Sequence, residues 1–118
     1  DLSDLNGIPG ISFYSKGEFP EHYHFDNDDR SGDLLINIAP PKVFSTRESI
    51  TGGTHGFDPY AHTDMHTIFY VEGPQIKSNY EIASFENIHV YPLIANILGL
   101  PIPSDIDGDQ EVLKEVLK

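Results

Sequence analysis

The amino-acid sequence predicts a small α+β fold in which short strands and turns come first and one helix follows. Two stretches favour strands: the apolar residues 34–39 and the β-branched and aromatic residues 65–71. Residues 88–98 favour a helix, because apolar side chains recur there at helical spacing. With 118 residues, the chain is long enough for one domain with a modest core and too short for two.

Residues 1–50 are predicted to form small strands separated by turns. A turn at Ile8-Pro9-Gly10 precedes a short aromatic strand at 11–15, and a brief second strand is expected at 23–25. The polar residues 26–33 read as a solvated loop. The strand at 34–39 is closed by Pro40-Pro41, and Val43 and Phe44 are expected to begin another short strand.

The next predicted strand covers residues 66–71 and ends before Gly73-Pro74. Its apolar residues do not alternate with polar ones, which is typical of a strand covered on both faces.

The helix at 88–98 has clear signals at both of its ends. Asn87 or His89 is expected at the cap, and Pro92 falls in the first turn, where the missing N–H costs little. Gly99 is a natural stop, and two prolines follow it. Residues 111–118 show a second, shorter helical pattern.

Composition excludes several functional classes. The chain carries 19 acidic and 7 basic residues, a formal charge of −12, which argues against binding a nucleic-acid backbone or an anionic membrane surface. It contains no cysteine, which excludes disulfides and thiolate metal sites. No apolar run approaches the roughly 20 residues of a membrane span.

One glycine-rich stretch places a histidine where it could act as a metal ligand or a general base. Glycine allows positive φ and a close approach of other groups, so the imidazole of a histidine between glycines faces outward. A metal ligand or a general base needs such exposure, although histidines in ordinary surface loops share it. The stretch is Gly52-Gly53-Thr54-His55-Gly56-Phe57-Asp58.

Several blocks of the sequence occur in an order that is found together in one enzyme family. They are the segment 53–58 (GTHGFD), Met65, residues 68–77 (IFYVEGPQIK), residues 85–91 (FENIHVY) and residues 97–100 (ILGL). These blocks resemble the C-terminal end of the catalytic domain of the nucleotide pyrophosphatase/phosphodiesterase family, within the alkaline phosphatase superfamily. The resemblance runs from about residue 52 to residue 118 and is looser upstream, at residues 23–25 and 34–38.

The resemblance implies that residues 51–118 are the C-terminal portion of an alkaline-phosphatase-like α/β domain. Members of this family use two zinc ions held by aspartates and histidines, and a threonine nucleophile. One of these ligands matches His55, whereas the nucleophile and the other ligands would lie outside this chain, so no catalytic residue is assigned here. Asp58 is a candidate to orient the His55 imidazole; alternatively, it caps a turn before Pro59.

The resemblance also implies partners, activity and location. The partners would be the remainder of the catalytic domain and a phosphodiester or nucleotide substrate, whose phosphodiester or pyrophosphate bond is hydrolysed. The location would be extracytoplasmic, either periplasmic or secreted, with the signal upstream of this chain. The isolated chain is expected to be inactive and to self-associate through apolar surface.

The remaining histidines favour structural interpretations. His62 and His66 have the spacing of a zinc pair on a helix, but Thr63 stands where the protease motif needs glutamate, and Pro59 argues against a helix. His22 and His24 could share one face of a strand, but ordinary surface positions explain them equally well. His89 fits a cap or a surface residue better than a ligand.

A second hypothesis is a non-catalytic acidic binding module, dependent on calcium. The run 105–111 is acidic, but an EF-hand needs glycine at position 6 and glutamate at position 12, where this run has Gly108 at position 4 and Val116 at position 12. A polar turn is the simpler interpretation. Zinc retention by the full-length parent would favour the phosphodiesterase, and a calcium-dependent rise in melting temperature, abolished by Asp107→Ala, would favour the binding module.

Overall fold

The computed structural model describes residues 7–49 and 52–118. The chain forms two compact units, one ending at Thr67 and the other spanning Ile68–Lys118. This boundary lies later than residue 50, where the sequence regions were divided. The reason is that Asp58 hydrogen-bonds to His22 and Tyr23 and so ties the following turn to the first unit.

The first unit is built on an antiparallel pair of strands. Strand β1, Ile11–Ser15, pairs with strand β2, Leu34–Ile38, in a register that places Ile11 opposite Ile38 and Ser15 opposite Leu34. Both strands were predicted, and both are confirmed. In the connection between them, residues 26–33 form turns and are mostly exposed, as expected for a solvated loop.

Two other strands predicted for this unit are wrong. Residues Glu21–Tyr23 form one turn of 3₁₀ helix, and His24 follows with a φ of 48°, a left-handed conformation that cannot continue a strand. Val43 and Phe44 lie in irregular structure, and the ring of Phe44 is exposed. A strand needs a neighbour to satisfy its backbone groups, and the described residues offer Val43 and Phe44 none.

The second unit contains the predicted helix. A 3₁₀ turn, Asn87–His89, leads into helix α1, Val90–Leu98, with Pro92 buried in its first turn. Gly99 ends the helix with a φ of 66°, and its N–H donates to the Ala95 and Asn96 carbonyls. The helix, the position of Pro92 and the glycine stop are all confirmed.

The core of the second unit forms between the helix and two flanking segments. The segment after α1 ends in a 3₁₀ turn, Lys114–Val116, in place of the short helix expected at 111–118. It then bridges back, with Leu117 paired antiparallel to Ile76 and the Lys77 N–H donating to the Val116 carbonyl at 2.9 Å. The buried side chains at this junction are Ile76, Leu93, Leu113 and Val116.

The strand predicted at 66–71 is absent from the structure, so this prediction is wrong for the described chain. Residues 66–71 are irregular, and the side chains of Ile68 and Tyr70 are 90% and 82% exposed. Phe69 packs edge-on against Phe85, with ring centroids 5.0 Å apart, and Val71 packs against the buried core of the second unit. The residues have strand propensity, but no described segment runs beside them to accept their hydrogen bonds.

Candidate functional site

His55 lies on an open turn of the first unit. Its side chain is exposed, and the flanking Gly52 and Gly56 have φ values of 103° and 92°. Side chains at these positions would be strained, which explains why glycine occupies both. A Cβ added to Gly52, Gly53 or Gly56 would meet no atom within 4 Å, so the backbone around His55 is open to approach.

Asp58 holds the turn that follows His55. Its Oδ1 accepts the Tyr60 N–H at 2.9 Å, and its carbonyl accepts the N–H groups of Ala61 and His62 at 3.2 and 2.9 Å. An aspartate side chain that accepts the N–H two residues on forms an Asx turn. The interpretation of Asp58 as a turn cap before Pro59 is therefore confirmed.

The other carboxylate oxygen of Asp58 meets two side chains from the 3₁₀ turn Glu21–Tyr23. The Tyr23 hydroxyl donates to Asp58 Oδ2 at 3.1 Å, and His22 Nε2 lies 3.3 Å from the same oxygen. The His22 ring also packs against the rings of Tyr23 and Tyr60, at centroid distances of 4.5 and 4.7 Å. Asp58 thus joins two stretches that lie far apart in the sequence.

Asn37 extends these contacts to the sheet. Its side-chain amide, on β2, donates to the Tyr23 hydroxyl, and the Tyr23 ring packs edge-on against Tyr14 of β1 with centroids 6.4 Å apart. His22, Tyr23, Asn37 and Asp58 are called here the Asp58 network. Through this network, the turn that follows His55 is connected to both strands.

The pKa values of Asp58 and Tyr23 determine which group donates and which accepts in the Asp58 network. Burial raises the pKa of the Asp58 carboxyl, but hydrogen bonds from the Tyr60 N–H, Tyr23 and His22 outweigh it, and the pKa lies below its ordinary 3.8. Burial and the hydrogen bond to Asp58 raise the pKa of Tyr23 to about 12, despite the opposing bond from Asn37. At neutral pH Asp58 is therefore an ionised acceptor and Tyr23 a protonated donor.

No local sequence signal indicated the partners of Asp58. His22 and Tyr23 are 36 and 35 residues away from it, and the sequence predicts a surface or strand position for them. The pairing of Asp58 with His55 stays a prediction, because the contacts that the structure gives the Asp58 carboxylate go to His22, Tyr23 and Tyr60.

The other histidines have structural surroundings. His62 and His66 flank a 3₁₀ turn, Thr63–Met65, so they are not one helical turn apart on an α-helix. His66 Nε2 lies 3.1 Å from the Pro59 carbonyl oxygen. His89 stands at the start of α1, where its Nδ1 accepts the Asp109 N–H at 3.0 Å. The interpretations of the 62–66 pair as loop residues and of His89 as a cap or surface residue are confirmed.

Within residues 7–49 and 52–118, the structure shows no group of three or more histidine, aspartate or glutamate side chains that could hold a metal ion. In the acidic run 105–111, Asp109 Oδ1 accepts the Glu111 N–H at 2.8 Å, as in a polar turn. The calcium hypothesis gains no support from this contact.

Among the described residues, no helix has the length and apolar character needed to cross a membrane.

Comparison with known proteins relates this chain to one group of enzymes. No family model matches it. It is 36% identical over 112 residues to ectonucleotide pyrophosphatase/phosphodiesterase family member 7 of Rattus norvegicus, an alignment that covers 93% of this chain and 25% of the relative. It is 31% identical over 96 residues to the bis(5'-adenosyl)-triphosphatase enpp4 of Xenopus laevis, covering 80% of this chain and 21% of the relative. It is 32% identical over 108 residues to the venom phosphodiesterase CdcPDE of Crotalus durissus collilineatus, covering 89% and 13%.

The chain belongs to the nucleotide pyrophosphatase/phosphodiesterase family. The family predicted from the glycine–histidine segment and the blocks after it is therefore confirmed. The chain spans only 25% of the length of the rat family member, so a nucleotide pyrophosphatase/phosphodiesterase of that size contains much more than the residues seen here. The relatives are named as hydrolases, the enzyme class that the sequence predicts for the parent protein.

Proposed function

We propose that this chain is the C-terminal portion of the catalytic domain of a zinc-dependent nucleotide pyrophosphatase/phosphodiesterase with an alkaline-phosphatase-like α/β fold. The domain would hydrolyse phosphodiester or pyrophosphate bonds. The observation that carries this proposal is the similarity to family members over 93% of the chain, together with an exposed histidine on the glycine turn. The chain contributes one metal ligand and part of the scaffold.

The properties of His55 fit a ligand for zinc supplied by this chain. Imidazole nitrogen is a preferred zinc donor, and an exposed ring can meet an ion that is held by residues from the rest of the domain. A pair of bound zinc ions supplies the activation of the nucleophile and the stabilisation of charge on the phosphodiester. His55 itself only binds, and Asp58 remains a candidate to orient it.

Substrate and location follow from the same proposal. The substrate class is a phosphodiester or a nucleotide with a pyrophosphate bond, in agreement with the names of the relatives. The formal charge of −12 disfavours long nucleic acids, whose backbone needs basic side chains. An extracytoplasmic location suits relatives that are named ectonucleotide enzymes.

The test of the metal assignment is His55→Ala in the whole enzyme. We expect the bound zinc to fall from two ions to one per chain by elemental analysis. Hydrolysis of a p-nitrophenyl nucleotide diester should fall at least about 100-fold, the upper end of the losses seen for partners of metal ligands. The matched control is His66→Ala, an exposed histidine near the Pro59 carbonyl, which should leave both values unchanged. Two zinc ions and full activity in the His55 variant would contradict the proposal.

The isolated chain should have no phosphodiesterase activity. Catalytic zinc sites use about three protein ligands, and the proposal gives this chain one. Purified, metal-loaded chain should therefore hydrolyse p-nitrophenyl nucleotide diesters only at background rate. Turnover that survives repurification and is abolished by a chelator would show that the chain carries a complete site.

A further inference from the structure

The turn that carries His55 has a firm attachment on its C-terminal side. Residues 52–56 are exposed, and their glycines leave the backbone many conformations to choose from. Three residues after His55, Asp58 is held by both carboxylate oxygens and by its carbonyl. The position of His55 therefore depends on how firmly Asp58 is held.

The 3₁₀ turn Glu21–Tyr23 provides that hold from a separate part of the chain. Tyr23 donates its only hydroxyl proton to Asp58 and accepts the Asn37 amide, so its orientation is defined on both sides. His22 adds a second contact to the same carboxylate oxygen at 3.3 Å. The side chains of His22 and Tyr23 are half-buried, which protects these hydrogen bonds from competition with water.

We propose that His22 and Tyr23 are positioning residues for the metal-binding histidine. By holding the Asp58 carboxylate, they fix the end of the glycine turn and so restrict the places that the His55 imidazole occupies before metal arrives. This inference rests on the proposed function of His55 as a zinc ligand. Neither residue touches the metal or the substrate in this scheme, and their effect passes through Asp58 and the backbone.

The structural reason for an effect on affinity is preorganisation. A ligand on a freely moving glycine turn loses conformational entropy when it binds metal, and a turn that is already fixed loses less. Groups that orient metal ligands typically change metal affinity or activity 10- to 100-fold when they are removed. Loss of the hold on Asp58 should therefore weaken zinc binding without removing a ligand.

The test uses two variants of the whole enzyme and a matched control. Tyr23→Phe removes one hydroxyl and keeps the ring, and the double variant Tyr23→Phe with His22→Ala removes both contacts to Asp58 Oδ2 while leaving the Asp58–Tyr60 turn in place. Tyr14→Phe is the control, because it deletes a tyrosine hydroxyl of the same unit whose ring packs against Tyr23, and the contacts given for the Asp58 carboxylate do not include Tyr14.

The first measurement is the zinc affinity by competition with a chelator. We expect one of the two zinc ions to bind about 10-fold more weakly in the double variant, with a smaller loss in Tyr23→Phe and none in Tyr14→Phe. The second measurement is amide hydrogen exchange in the zinc-free enzyme. The N–H groups of Tyr60, Ala61 and His62, which donate to Asp58, should exchange several-fold faster in the double variant, while strand β1, Ile11–Ser15, keeps the wild-type rate.

Each outcome decides the inference. Unchanged zinc affinity in both variants would overturn it, as would equally faster exchange in β1 and at residues 60–62, which would indicate a general loss of structure. If the double variant does not fold, unchanged zinc affinity and exchange in Tyr23→Phe alone would overturn the inference. The His55→Ala enzyme separates the two levels. If the His55→Ala enzyme binds both zinc ions normally, the proposed function fails. If that enzyme loses one zinc ion while the Tyr23 variants keep the wild-type zinc affinity, only the positioning role fails.

Discussion

At the scale of single residues, Asp58 shows how local and distant chemistry combine at one carboxylate. Its Oδ1 accepts a hydrogen bond within the adjacent turn, and its Oδ2 contacts two side chains of a 3₁₀ turn about 35 residues earlier in the chain. The turn could be predicted from the sequence, because an aspartate before Pro-Tyr readily forms an Asx turn. The contacts with His22 and Tyr23 could not, since they depend on how the two strands place the intervening loop.

The raised pKa of Tyr23 makes the first unit sensitive to alkaline pH. Because the pKa is about 12 in the folded chain and 10.0 for an unperturbed tyrosine, the stabilisation is fully present below pH 10 and is lost as the pH rises through 12. A shift of this size corresponds to at most about 3 kcal/mol, less where solvent screens the pair.

We expect Tyr23→Phe to be less stable than wild type at pH 9, with this difference shrinking as the pH approaches 12. Urea unfolding of both proteins across this range would measure it, and Tyr14→Phe controls for other tyrosines that titrate there. A constant difference from pH 9 to 12 would contradict the expectation.

At the scale of elements, helix α1 could be predicted with its ends because its signals are local. Pro92 and Gly99 act within one turn of their own positions, and the apolar stripe repeats within the helix itself. The segment 66–71 had equally clear propensity but is irregular in the structure. A strand is defined by its partner, and propensity in one segment carries no information about whether a second segment lies beside it.

Gly108 packs against the start of α1 in a way that excludes any side chain. A Cβ built on Gly108 would lie 2.5 Å from the Ile88 carbonyl oxygen and 3.0 Å from Pro92 Cγ. The nearest of these atoms is backbone, which cannot rotate away. Gly108, which does not have the position of the glycine in an EF-hand calcium loop, is thus required for packing.

Gly108→Ala should lower the free energy of unfolding by about 1–3 kcal/mol, the usual effect of overpacking. Gly73→Ala is the matched control in the same unit, since its Cβ would meet only Ile76 Cγ1 at an ordinary 3.8 Å. Thermal unfolding followed by circular dichroism would compare the two. Equal melting temperatures for the two variants would show that the loop at Gly108 yields without cost.

At the scale of the whole chain, two apolar surfaces of the second unit lack cover in the structure. One is the irregular segment with Ile68 and Tyr70, and the other is the outer side of α1, where Tyr91, Ile94 and Leu98 are half or more exposed. Large exposed apolar surfaces are typical of sites that bind another polypeptide. In the proposed parent enzyme, the rest of the domain would cover them.

The isolated chain should therefore self-associate through the 66–71 segment, through helix α1, or through both. Light scattering over a dilution series should show a mass that falls toward that of a monomer as the chain is diluted. Ile68→Lys should weaken the association, because Ile68 is 90% exposed and a charge there opposes burial. Phe44→Lys changes an exposed apolar residue of the first unit and is the control. A stable monomer at every concentration would contradict the expectation.

The bridge between Ile76 and Leu117 also sets the order in which the second unit is completed during synthesis. Lys77 Nζ reaches the Glu115 carbonyl across 38 residues, with α1 formed by the chain in between. A helix forms from local contacts in about a microsecond, whereas ribosomes add roughly 5–20 residues per second. A nine-residue helix is marginal on its own, however, so α1 becomes stable only after Leu113 and Val116, which come later in the chain and pack against it, have been synthesised. Until they emerge, the apolar side of α1 is open to chaperones and to neighbouring nascent chains.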